Sequence, residues 1–167
     1  MRVVEGVAGI ADLDAFLDRI DDIAADHGVT VQAFDARYVV GRNHLERAVE
    51  LADRAFDRGE NVARERGVEI LLYAAGRRQI DDALAMGVSE GRTPVAVVVS
   101  DTAGDEAAEA AAADAVADLL DPAATLDTVD VDRVRAFFDV TEAELGVVDG
   151  DLADLVAERV ALLDVEK

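Results

Sequence analysis

The sequence predicts an α/β fold: a small mixed β-sheet of about four strands, with helices packed around it and a helical C-terminal side. Three observations carry this prediction. Short runs rich in β-branched residues open the chain and recur at 29–34 and 94–100. Apolar residues at helical spacing separate those runs. Beyond residue 105 the segments read as helices one after another.

Arg2–Val7 is the first strand, followed closely by Gly9. Asp12–Asp26 places Leu13, Phe16, Leu17, Ile20, Ile23 and Ala24 on one helical face, and Gly28 stops the helix. Val29–Phe34 is the second strand. Asp35–Arg42 is a connection, and Asn43 is the N-cap of a helix through Arg58 that Gly59 ends. Val68–Ala74 is apolar throughout except for Glu69 and reads as a central strand. Gly76 breaks it, and Arg78–Met86 forms a short helix closed by Gly87. Pro94–Ser100 is the clearest buried strand, because a strand covered on both faces shows a continuous apolar run. Asp105–Leu120 is an Ala-rich acidic helix with few large side chains, expected at the periphery. Pro122 starts a connection. Asp130–Phe138, Thr141–Glu144 and Asp151–Leu163 are helical, and Thr141 with Glu144 fits a capping box. No Gly-, Pro- or Ser-rich linker and no repeat divides the chain, so residues 1–167 form a single domain.

Composition removes several classes of function. The 167 residues are 51% hydrophobic, so a core can be buried and disorder does not fit. No stretch approaches the roughly 18 apolar residues of a membrane span. The start Met1-Arg2-Val3-Val4-Glu5 lacks a signal-peptide pattern, and the expected location is cytoplasmic. Zero cysteines remove disulfides, thiolate catalysis and cysteine zinc sites. His27 and His44 are the only histidines.

The formal net charge is -21, from 37 acidic and 16 basic residues. Fifteen of the bases are Arg and the single Lys is Lys167, while Asp outnumbers Glu. This composition resembles that of salt-loving archaeal proteins, where surface carboxylates maintain solubility. The charge is uneven. Residues 1–36 carry a net -6 and residues 93–167 a net -15, but residues 37–92 hold ten acids and ten bases. In so acidic a chain a neutral segment is the locally positive one, and an anionic partner would be met there. The alternative is that its arginines pair with neighbouring carboxylates.

On the helix 43–58, Leu45, Ala48, Val49, Ala52, Ala55 and Phe56 share one side, and Arg47, Arg54 and Arg58 line up opposite. Such a ridge can fork onto phosphates. Ordinary i,i+4 support, with Glu50 and Arg54 suitably spaced, is the favoured explanation. At Gly76 a strand-to-helix turn bearing Arg77 and Arg78 would aim backbone N–H groups at an anion, although neither a P-loop nor a dinucleotide fingerprint is present. Glu69 in an apolar strand calls for an ion pair with a nearby arginine. His27 ends a helix, where a cation suits the dipole. His44 opens the arginine helix, either as a surface helix start or for stacking on a base. Ser100-Asp101-Thr102 is weak evidence for any site. No nucleophile, base and orienting group can be assembled, so no catalytic residue, metal or cofactor is expected.

The run Glu69-Ile70-Leu71-Leu72-Tyr73-Ala74-Ala75-Gly76-Arg77-Arg78-Gln79-Ile80, continuing to Gly87, resembles the Cgi family of KEOPS subunits. His44-Leu45-Glu46-Arg47-Ala48 is similar to that family's helix start, and the tail from Val134 to Val165 to its C-terminal helices. The resemblance spans nearly the whole chain in order. It implies a small mixed sheet with helices around it. It also implies a non-enzymatic subunit of the complex that installs threonylcarbamoyl on adenosine 37 of tRNA. Such a subunit docks on the small kinase/ATPase subunit, stimulates it, and holds the single-stranded 3′ CCA end of tRNA. The transferase subunit is an indirect partner.

On this resemblance, His44, Arg47, Arg77, Arg78 and Gln79 contact tRNA, with Arg64 matching less clearly, and Tyr73 and His44 supply stacking. Leu152, Leu155, Val156, Val160 and Leu163 form an apolar stripe for the kinase, and the same spacing suits a core-facing helix equally well. The 105–120 stretch and the acidic surface depart from the family. Two other readings remain: a small-molecule enzyme or sensor using the Gly76 turn, and an adaptor using only the last helix.

Overall fold

Four strands form one sheet in a computed structural model that describes residues 1–127, 129–147 and 151–166. They are β1 (Arg2–Ile10), β2 (Thr30–Asp35), β3 (Gly91–Ser100) and the two-residue β4 (Asp121–Pro122), in the order β2-β3-β1-β4. Every pairing is antiparallel, with Val4 opposite Val97 and Ala33 opposite Val97 from the other side. Helix α1 (Leu13–His27) crosses from β1 to β2, which run parallel to each other with β3 between them, a split β-α-β unit. The α/β class and the strand count are as the sequence predicts.

Strand β3 is covered on both faces, which explains its unbroken apolar run. Val95, Val97 and Val99 point to one side, where Ile20 of α1 and Ala112 and Val116 of α5 (Glu106–Ala117) complete a core. Ala96 and Val98 point to the other side. There the larger core joins α2 (Arg42–Arg58), α3 (Arg66–Ala75) and α8 (Leu152–Glu166), with Val134 of α6 (Val131–Phe137) and Phe138 closing its end. Helix α5 is therefore a structural layer of the domain and not a peripheral addition. Its small alanines let it lie close to the sheet.

The largest departure from the sequence prediction is at 66–75, which is helix α3 and not a central strand. The run is apolar because the helix is buried on all sides from Glu69 to Ala75, between α2, β2 and α8. A continuous apolar run signals full burial without choosing between strand and helix. Leu71, Leu72, Ala74 and Ala75 favour the helix locally. The missing strand is β4, at the position predicted to begin a connection. It pairs with β1 beside Gly6, where a Cβ would come within 2.8 Å of the Asp121 carbonyl oxygen, so only glycine admits β4 there.

Helix ends use the abundant aspartates. Asp12, Asp105 and Asp130 are N-caps whose carboxylates accept from the N–H groups of Ala15, of Ala107 and Ala108, and of Arg133. Gly41 occupies the N-cap of α2 in place of the expected Asn43, with no side-chain hydrogen bond. Gly28 and Gly59 end α1 and α2 as predicted. The Thr141–Glu144 capping box forms at the start of α7 (Glu142–Val147). The predicted helix 78–86 is the single turn α4 (Ile80–Ala83) followed by a 3-10 turn.

Candidate functional site

The C-terminal end of α3 exposes a cationic corner. Gly76, at φ 60°, caps the helix: its N–H donates to the Tyr73 carbonyl and that of Arg77 to the Leu72 carbonyl. These N–H groups are spent inside the cap. The anion-binding strand-to-helix turn predicted at Gly76 is thus absent, because the preceding element is a helix. Arg77, Arg78 and Gln79 instead line a shallow hollow of about 590 Å³ together with Val62, Asp82 and Leu163. Arg78 and Gln79 are exposed. Arg77 donates to the Phe137 carbonyl and lies over the Phe137 ring, 4.7 Å from its centroid.

Both predicted stacking rings are buried. His44 is buried, accepts at Nδ1 from the Val40 N–H (3.3 Å), and lies with Nε2 2.7 Å from the Ala74 carbonyl oxygen. With Nδ1 accepting, Nε2 carries the proton and donates to Ala74. Burial lowers its pKa to about 4, although the bond to Ala74 acts the other way. The ring meets Phe138 edge-on at 6.0 Å. Tyr73 is fully buried and its hydroxyl donates to Asp164 Oδ1 (3.0 Å); burial, then that bond, pushes its phenol up. Both residues therefore connect elements of the fold; Tyr73 has no exposed surface to stack on, and His44 keeps only 7% exposure, at the wall of a cleft. A helical reading of 66–75 is the signal that would have placed Tyr73 inside.

The remaining tRNA candidates lie elsewhere. Arg47 pairs with Glu50 (2.9 Å) at the rim of a cleft of about 540 Å³ between α2 and α8, whose wall includes His44, Ala157 and Val160. Arg54 also reaches Glu50 (3.8 Å) and Asp164 (3.6 Å), so two members of the predicted arginine ridge, Arg47 and Arg54, are engaged in ion pairs. Arg64 is exposed beside Asp53, Asp57 and Arg66 in a separate depression. The structure thus groups Arg77, Arg78 and Gln79 and separates them from Arg47 and from Arg64.

Glu69 is wholly buried, and its carboxylate accepts from the N–H groups of Val62 (3.0 Å) and Ala63 (2.8 Å). The backbone of the loop before α3 thus supplies bonds to this carboxylate, which the sequence reading assigned to an arginine. Arg66 is a joint: it donates to both oxygens of Asp53 on α2 (2.6 and 2.9 Å) and to the carbonyl and hydroxyl of Ser100 at the end of β3.

The apolar stripe assigned to the kinase is core. Leu155, Val156, Val160 and Leu163 are buried in the larger cluster, and Leu152 packs half-buried against it. Two large apolar residues of the same helix face solvent, Leu162 at the edge of that stripe at 48% exposure and Val165 away from it at 81%. Near the hollow, Val62, Ile80 and Leu84 are also exposed. Arg159 ties α8 to the α6–α7 corner through the Phe138 carbonyl (3.2 Å) and Glu144 (2.6 Å), which holds the Glu144 carboxyl below the usual range.

One feature of this face has no single-segment signature. Arg133 of α6 lies 5.5 Å from the Tyr38 ring centroid, and that ring stands 5.4 Å from Phe137, which also meets Phe138 (5.0 Å) and Arg77. The only trace in the sequence is the i,i+4 spacing of Arg133 and Phe137.

Among the described residues, no cluster of three or more His, Cys, Asp or Glu side chains is arranged to hold a metal, and no helix is long and apolar enough to cross a membrane. A family model described as kinase binding protein CGI-121 matches residues 10–164. No curated protein matches the chain.

Proposed function

The chain belongs to the CGI-121 family of kinase-binding proteins, and on that premise we propose that it is the non-catalytic KEOPS subunit that docks on and stimulates the small kinase/ATPase subunit. In the same reading it holds the 3′ CCA end of tRNA for threonylcarbamoylation of adenosine 37. The observation that carries the proposal is the family match over 155 residues, from 10 to 164, which includes every element of the larger core.

The candidate contacts follow from exposure. Arg78 and Gln79, with Arg77 behind them, offer the RNA a cationic hollow; His44 and Tyr73 support that corner from inside. For the kinase, Leu162 and Val165 are the available apolar residues of α8, since Leu155, Val156, Val160 and Leu163 are occupied by the core. A helix face meeting a partner groove is a common recognition mode. The small-molecule reading loses its pocket, because the Gly76 N–H groups close a helix cap.

The test is co-purification of the full chain with the small kinase, in parallel with binding of tRNA with and without its CCA end. The proposal expects kinase capture and a loss of at least tenfold in tRNA affinity on CCA removal. Equal binding of CCA-less tRNA removes the RNA half and leaves an adaptor. Failure to capture the kinase removes the other half.

A further inference from the structure

The cationic surface continues past the hollow. From Arg77 the sequence of neighbours is Phe137 (4.7 Å), Tyr38 (5.4 Å) and Arg133 (5.5 Å), so that two guanidinium groups flank two aromatic rings. The parts come from three segments: the end of α3, the turn after β2 and helix α6. All four residues are partly accessible. The rings meet edge to face at 73°, with one guanidinium group beside each.

Arg133 keeps a partly exposed side chain while bonding to the Tyr38 side chain. Its neighbour Arg37 is fully engaged, donating through two nitrogens to the two oxygens of Asp35 (3.0 and 2.8 Å). The nearest carboxylate to Arg133 is that of Asp130 at 3.5 Å, and its buried Nε has no hydrogen-bond partner among the described residues. A partly exposed guanidinium beside an aromatic ring is suited to a phosphate or a base edge. Carboxylates dominate the chain as a whole, so a row that sets two guanidinium groups against aromatic rings is a local attraction for an anionic polymer.

We propose that Arg133, Tyr38, Phe137 and Arg77 form a track for the single-stranded nucleotides adjoining those held in the Arg78–Gln79 hollow, so that the RNA footprint exceeds the terminal three. The inference rests on the RNA-binding reading above and adds a length and a second set of contacts to it. The rings and guanidiniums hold bases by stacking, and Arg133 supplies one phosphate contact. A protein partner would also welcome arginines and aromatics at an interface. The single strand is favoured because alternation of rings and cations is its usual platform.

The test measures fluorescence anisotropy of labelled oligoribonucleotides ending in CCA, from three to eight nucleotides, on the full chain. For the unaltered protein, affinity rises about tenfold between three and six nucleotides, the gain expected from one or two further stacked bases. Arg133→Ala and Tyr38→Leu abolish this rise and leave binding of the trinucleotide within about twofold; Tyr38→Phe retains it. Arg133→Ala also lowers the salt slope of the longer oligonucleotides by about one. Thermal melts confirm that each variant is folded. A rise that persists in both variants, or is missing from the unaltered protein, overturns the track alone. Loss of kinase capture with RNA binding intact overturns it in favour of a protein interface. No binding of any oligonucleotide or tRNA overturns the RNA reading together with the track.

Discussion

His44 Nε2 lies 2.7 Å from the carbonyl oxygen of Ala74, joining the first turn of α2 to the last turn of α3. The bond satisfies one of the carbonyls that a helix C-terminus leaves free. It also requires the neutral ring, since Nδ1 must accept from Val40.

Stability should therefore depend on pH through this group. The unfolded histidine takes up a proton near 6.5, whereas the folded one resists until about 4. A base with a depressed folded pKa binds more protons when unfolded, so its contribution is complete above 6.5 and is lost as pH falls toward 4. The loss is about 3 kcal/mol at its limit. Urea midpoints of the protein and His44→Gln at pH 7.5 and 4.5 isolate it: the gap between the two should narrow or reverse at the lower pH. A constant gap would remove the explanation.

Glu69 should be among the costliest polar residues to alter. Its carboxylate is the acceptor for two backbone N–H groups in the loop before α3. In Glu69→Gln an amide NH₂ takes the place of one oxygen and faces a donor. The expected loss is about 2 kcal/mol, read as a lower urea midpoint with unchanged slope.

Arg66 makes a second such test. Lysine at this position keeps the charge but cannot span Asp53 and Ser100 together. Arg66→Lys and Arg66→Ala should both lose about 2 kcal/mol, with lysine recovering less than half. Full recovery by lysine would show that charge alone matters there.

The buried and the exposed apolar residues of α8 should separate folding from binding. Leu155→Ala empties buried volume and should cost about 2–5 kcal/mol. Leu162→Glu and Val165→Glu change exposed positions and should leave the melting temperature within a degree or two while reducing kinase capture at least tenfold. Unchanged capture by both would place the kinase on another surface.

The outline of the fold was legible because helix stops and buried strands have local causes. Gly28, Gly59 and the Thr141–Glu144 box act within a turn, and the valines of β3 report burial directly. The error at 66–75 arose because all-round burial erases the periodicity that distinguishes helix from strand. That error carried into the site, moving Tyr73 from surface to interior and removing the turn at Gly76. Arg78 and Gln79 kept their exposed positions, since a helix cap also points the next residues outward. For α8 the stripe was correctly seen, and only the third dimension showed which body it meets. The association of Tyr38 with Phe137 links residues almost a hundred positions apart, and nothing in either segment announces it.

Strand β3 is shared by two cores that otherwise have no buried residue in common. It acts as a party wall. Substitutions in the α1–α5 layer meet that wall before the face bearing Arg78, Leu162 and Val165, and neighbouring strands grip it along both edges. The acidic layer behind it is consequently free to drift in sequence, or to carry a dye or an affinity handle, without being felt by whatever occupies the front.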